Sequence, residues 1–221
     1  MANYELKVGF SDEDLKMLYA TGTNVVIAKP SLGSTPNVAW QVFLPMQANT
    51  ISWEEKYGIY ASTSEVVNGA KLSQLSSVPI PAAINKLYTL ESQAIITGPA
   101  SGGSPDSYSL INKWDVKPYV TVGLYQDATV NGTDIKDNAL SAAGVPLNST
   151  AVMTPYTVVY IWLQSQVLSN TVVTNVTSPM TELEFGGGVN TISVVYDPST
   201  GNFISAPGGK QIQHRVIHPL L

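Results

Sequence analysis

Any chemistry in this chain falls to carboxylates, hydroxyls, amides, lysines and aromatic rings. No cysteine occurs, and the only arginine and both histidines, Arg215, His214 and His218, lie in the last eight residues. Residues 1–213 therefore hold no imidazole base, no thiolate nucleophile and no usual zinc, copper or haem ligand. They also lack a bidentate clamp for phosphate or carboxylate. A carboxylate-based glycosidase is the enzyme these residue types would best support. Glu182 and Glu184 alternate with Leu183 and Phe185, so on a strand both acids face one side roughly 7 Å apart, a spacing compatible with inverting hydrolysis. Two acids outside and two apolar residues inside is also the ordinary half-buried strand, and the chain reads as non-enzymatic. Glu54 and Glu55 are adjacent and should point to opposite faces. No serine sits in Gly-X-Ser-X-Gly, although a lysine-activated serine stays open. Gly186-Gly187-Gly188 lacks the Lys-Ser/Thr of a phosphate loop.

Binding is better provided for. After Pro118, Val120, Val122 and Leu124 should face inward, leaving Tyr119, Thr121, Tyr125 and Asp127 outward. A tyrosine face beside a carboxylate suits a sugar, whose apolar ring face stacks while its hydroxyls need polar partners. Trp53, Tyr57 and Tyr60, with Glu54 and Glu55, form a second such cluster. Tyr156, Tyr160 and Trp162 share one side of a strand whose other side is Thr157, Val159, Ile161 and Leu163. That strand is either central and buried on both faces or an aromatic platform.

No cofactor is required by any of these patterns. Calcium is the one metal with a candidate site, because Asp127, Asn131, Asp134, Asp137 and Asn138 surround Gly132 and offer hard oxygen ligands. The spacing matches no EF-hand, and ordinary turns select the same residues. His214 and His218 would share a helix face as a metal pair, but Pro207-Gly208-Gly209, Val216 and Ile217 favour an extended tail that separates them by roughly 13 Å.

Only 12% of residues are charged, 44% are hydrophobic and the net charge is -5. That sign is wrong for gripping a phosphate backbone, so nucleic acid is not an expected partner. The longest apolar run, 156–163, is far short of the roughly 20 residues a membrane-spanning helix needs. The opening residues lack the basic and apolar regions of a secretory signal, giving the expectation of a cytoplasmic protein, released if at all by lysis or a non-classical route. The three Asn-X-Ser/Thr triplets, at Asn131, Asn148 and Asn175, carry no weight in a chain this rich in those residues.

The elements that must position these groups read as strands. Tyr4, Leu6, Val8 and Phe10 alternate with polar residues. A short helix follows, capped by Ser11 with Asp14 at the reciprocal position, helped by Asp12 and Glu13, and stopped at Gly22. Strand runs are expected at 24–29, 37–44, 50–62 and 93–97, then at 117–127, 156–164, 171–177, 181–185, 191–196 and 202–205. The fold class is an all-β antiparallel sandwich, jelly-roll or Ig-like, spanning 1–207. Segment 98–107 is the strongest loop or linker signal, and the halves 1–97 and 108–207 echo one another: Lys7–Phe10 with 121–124, 38–42 with 158–162, and Asn-Thr-Ile-Ser at Asn49 and Asn190. Such echoes suggest a repeat, or only the shared composition of strands. The tail 208–221 breaks composition and looks appended.

These features favour a lectin-like, carbohydrate-binding protein, with a role in defence as one setting. A β-pore-forming or membrane-acting toxin is the alternative, with segments such as 171–177 rearranging into barrel strands. A self-assembling structural or storage protein is the third reading, and a homo-oligomer is expected.

Overall fold

The alternation at the start of the chain becomes strand β1 (Asn3–Gly9), with Tyr4, Leu6 and Val8 buried and Glu5 and Lys7 outside. A computed structural model describes residues 2–31, 33 and 35–207, together with the backbone of 214–217. The helix α1 (Asp12–Ala20) follows. Ser11 and Asp14 form the reciprocal capping box, three acids occupy the first turn, and Gly22 takes a φ of 60° just past the end. Leu15 and Leu18 are buried, whereas Tyr19 lies on the surface and donates its hydroxyl to the Pro45 carbonyl (2.8 Å).

The first half of the chain continues with β2 (Thr23–Ala28), β3 (Val38–Ala39), β4 (Gln41–Phe43), β5 (Ala48–Glu54), β6 (Gly58–Ser62), β7 (Gln74–Val78), β8 (Lys86–Leu90) and β9 (Ile96–Ala100). Then come β10 (Tyr108–Asn112), β11 (Tyr119–Val130), β12 (Thr133–Ala139), β13 (Ala143–Pro146), β14 (Thr150–Met153) and β15 (Val158–Ser165). The last group is β16 (Thr171–Val172), β17 (Met180–Glu184), β18 (Thr191–Asp197), β19 (Asn202–Ser205) and β20 (His214–Ile217). Strands make up 52% of the chain and helix 4%, so the fold is all-β, and its sheets pack as a sandwich without closing into a barrel.

Nine strands form the largest sheet, ordered β19-β18-β1-β5-β11-β6-β7, with β12 and β13 also on β11. A second sheet runs β20-β17-β15-β2-β4, a third β14-β10-β8-β9, and β16 pairs with β3. Strands from both sides of segment 98–107 thus interleave in the two largest sheets, and the segment itself begins inside β9. Strand β11 is the organiser: β13 and β6 flank its first half, β12 and β5 its second.

The echoed strings occupy related places. Ile51 and Ile192, from the two Asn-Thr-Ile-Ser copies, sit on either side of Leu6, one on an antiparallel neighbour and one on a parallel neighbour. In both copies the Thr faces out and the Ile faces in, on opposite flanks of β1, whereas Asn49 is buried and Asn190 exposed.

The main core lies between the sheets and includes Leu6, Ile27, Trp40, Ile51, Trp53, Leu110, Val122, Ile161 and Phe203. Two smaller clusters cover the outer faces: Val26, Tyr160 and Trp162 on one side, Tyr60, Leu72 and Tyr125 on the other. Strand β15 is therefore buried on both faces, which closes the aromatic platform considered for Tyr160 and Trp162, while Tyr156 remains exposed. Strand β11 is likewise two-sided. At its centre Gly123 lies against Ser141 and Tyr60 so closely that any Cβ would collide with the Ser141 carbonyl and the Tyr60 ring.

Residues 171–177 form a strand only over Thr171–Val172. The tail, expected to stand apart from the fold, contributes β20, whose backbone pairs with β17 at the edge of the five-stranded sheet. His214 is thus on an extended segment, and His218 lies outside the described residues. Among the described residues no helix is long and apolar enough to cross a membrane.

Candidate functional site

A groove of about 350 Å³ opens where β5 and β11 part company. The two strands pair only at Thr129↔Ser52 and Val130↔Ile51. Beyond Ser52 the ladder stops, and the Gln126 side chain fills the gap, donating to the backbone carbonyls of Glu54 (2.7 Å) and Lys56 (3.3 Å). The groove above is lined by Asn3, Ser52, Trp53, Glu54, Asp127 and Thr129, among others. Its charges are paired internally, Lys56 with Glu54 and Lys136 with Asp127 (3.2 Å). The surface offered is rich in donors and acceptors yet close to neutral. Trp53 is 4% exposed, and its indole N–H finds no acceptor among the described residues, which leaves a donor of the kind whose burial unpaired costs about 1–3 kcal/mol.

The Asp127–Asn138 segment is a hairpin. Asn131 and Gly132, with φ of 49° and 80°, form the two-residue turn between Val130 and Thr133. An extra residue on β12 makes a bulge with Asp137 at φ 59°, and Asp127 stitches it by accepting from the Asp137 N–H (3.0 Å) and pairing with Lys136. Asp134 accepts from the Thr129 hydroxyl (2.8 Å), and Asn131 accepts from the Thr50 N–H (2.8 Å). Of the five residues considered as calcium ligands, Asp127, Asn131 and Asp134 have side-chain oxygens engaged within the hairpin or with Thr50, Asp137 is held through its N–H, and Asn138 donates to the Trp40 carbonyl. No three acidic, histidine or cysteine side chains converge on a metal position among the described residues.

The six aromatic and acidic candidates for ligand binding divide among four places. Asp127 and Trp53 share the groove. Tyr57 is buried, its ring lying, like that of Trp53, against Lys29. Tyr60 and Tyr125 belong to the outer core, where their hydroxyls donate to the carbonyls of Ser141 (2.6 Å) and Val78 (2.9 Å). The expectation that Tyr125 and Thr121 face outward is corrected: Tyr125 is 3% exposed and Thr121 is fully buried, because β6, β12 and β13 cover both edges of β11 and Leu72 and Ala139 pack over its second face. Tyr119 is 43% exposed but lies at the opposite end of β11 from Asp127, roughly 26 Å away along an extended strand.

Beneath the groove lies a group that alternation did not single out. Lys29 follows β2 directly and is 1% exposed. Its Nζ donates to Gln126 Oε1 (2.9 Å) and reaches Glu55 Oε2 and the Tyr57 hydroxyl, both at 3.3 Å. The rings of Trp40, Trp53 and Tyr57 surround it with centroids at 5.5, 5.4 and 5.2 Å. Trp40 in turn donates to the Gln126 carbonyl (2.9 Å), and the Tyr57 hydroxyl donates to Glu55. Burial pushes the Lys29 ammonium below the usual lysine range, with Glu55 opposing the shift. Burial raises the Tyr57 phenol well above its ordinary value, and Glu55 adds to the effect. Tyr108, packed against Tyr57, is pushed up to about 12, again by burial first and Glu55 second. Glu54 and Glu55 do point opposite ways, one to the groove and one to Lys29. The sequence signal for Lys29 is its position: it ends the unbroken apolar run Val25-Val26-Ile27-Ala28, where the next side chain is also interior. No family model, no curated protein and no solved structure matches this chain, so the reading of the site rests on its own chemistry.

Proposed function

We infer that the protein is a non-enzymatic, lectin-like binding protein that takes a neutral saccharide in the groove between β5 and the β11–β12 hairpin. The observation that carries this reading is the groove's wall of hydroxyl, amide and internally neutralised charged groups. Sugars need many hydrogen bonds of both senses and little net charge. A glycan array run with and without calcium tests it. Saturable binding to a defined saccharide, weakened at least tenfold by Asp127→Ala, supports the reading. Calcium dependence would implicate the hairpin carboxylates. Silence in both conditions overturns it, and dye release from liposomes would then favour a membrane-acting protein.

Self-assembly is a second reading with its own observation. Among the described residues β7 and β19 end the main strand path of the nine-stranded sheet, and they carry the exposed Leu75 and Ile204. Edge-to-edge pairing of unlike edges would be head-to-tail and open-ended. A concentration-independent monomer in sedimentation would remove this reading.

A further inference from the structure

We propose that Lys29 and Gln126 become joined by an intramolecular amide bond, formed within the folded chain with Glu55 as the proton carrier. The inference goes beyond saccharide binding and is independent of it. Three observations meet at one point. The Lys29 nitrogen is 2.9 Å from Gln126 Oε1, which with a carbonyl length of about 1.2 Å places the carboxamide carbon within about 4.1 Å of it. Near-attack separations are about 3–3.5 Å, so a sub-ångström to one-ångström shift of the lysine tip brings the pair into reach. The amide is held in one orientation, because its nitrogen donates to two backbone carbonyls while its oxygen faces Lys29. The surroundings are dry and aromatic, provided by Trp40, Trp53 and Tyr57, and they favour a neutral amine over an ammonium.

The step balances without an oxidant or co-reactant. Glu55 takes a proton from the Lys29 ammonium, leaving the neutral amine that burial favours. The Nζ lone pair adds to Gln126 Cδ, and a Cδ–Nζ bond forms. A proton passes from Nζ to Nε2 through Glu55, the Cδ–Nε2 bond breaks, and the ammonia released takes up the proton that Glu55 first removed, leaving as ammonium. Glu55 ends as it began. Tyr57, whose hydroxyl donates to Glu55 and lies 3.3 Å from Nζ, acts as a positioning residue. The product would tie β2 of the five-stranded sheet to β11 of the nine-stranded sheet, covalently linking the two main layers.

Intact-mass measurement on the purified full chain tests this directly. The expected result is a mass about 17 Da below that of the sequence, one ammonia lost, with a protease digest yielding a single linked peptide that contains both Lys29 and Gln126. Lys29→Met, Gln126→Leu and Glu55→Gln should each restore the full mass. Folded wild-type protein with undiminished mass and no linked peptide overturns the proposal. A deficit that persists in folded Glu55→Gln overturns the role of Glu55. Should a variant fail to fold, the wild-type peptide map decides alone, and it also separates this bond from ammonia loss elsewhere.

Discussion

Two lysine–carboxylate pairs in this molecule have nearly the same length: Lys136–Asp127 at 3.2 Å on the hairpin and Lys29–Glu55 at 3.3 Å beneath the groove. Their chemistry diverges. Asp127 stabilises the Lys136 ammonium, first by its hydrogen bond and then by its charge, and raises its affinity for the proton. Glu55 acts on Lys29 in the same direction, yet burial outweighs it and the net shift is downward. Water decides the outcome. An ion pair with one end in solvent keeps both charges, whereas the same geometry walled by indole and phenol rings drives its lysine towards the neutral amine.

The largest effect should come from emptying the inner pair. Lys29→Ala takes the cation from Glu55 and the donor from Gln126 Oε1 and opens a void. It should cost about 3–5 kcal/mol in denaturant unfolding, while Lys29→Met, which fills the volume, should cost distinctly less. A smaller but more diagnostic effect is the pH dependence of stability in chains holding a free Lys29 amine. The unfolded lysine keeps its proton up to its ordinary value of 10.5, and the folded one releases it earlier. Between those limits the unfolded state binds more protons, so stability should rise with pH. Below the depressed folded value both states are protonated and the contribution is flat. Tyr57, Tyr60 and Tyr108 act oppositely. Their folded values lie above 10.0, so their contribution is complete below that pH and is lost as pH climbs past it. Urea titrations should therefore show stability rising towards pH 10 and then falling. A flat profile below pH 10 would indicate that Lys29 no longer titrates, as an amide would not. The smallest effect belongs to the outer pair: Lys136→Ala should leave the unfolding midpoint unchanged within error.

Alternation exposed β1, the capping box exposed α1, and apolar runs exposed β2, β11, β15 and β18 within a few residues. Segments β7, β8, β12, β13 and β14 were harder to read, because Gln74–Val78 and Thr133–Ala139 are polar and find their place only through pairing with β6 and β11. The two-sided burial of β11 was hidden for a related reason. Tyr125 looks outward when one strand is read alone, and only Leu72 and Ala139, distant in sequence, reveal the second layer over it. In the candidate site, Trp53 and Asp127 were visible as types but not as partners. Gln126 was invisible, since an isolated glutamine on a strand ordinarily faces water, and Lys29 was marked only by its place at the end of an apolar run.

The position of β1 has a consequence for how the chain is made. It lies between β5, which emerges soon after it, and β18, which is encoded almost the whole chain later and runs parallel to it. At ordinary elongation rates of about 5–20 residues per second, the flank awaiting β18 stays open for on the order of ten seconds or more during synthesis. A nascent chain therefore carries a half-finished sheet edge at Glu5–Gly9 until Thr191–Asp197 has been made.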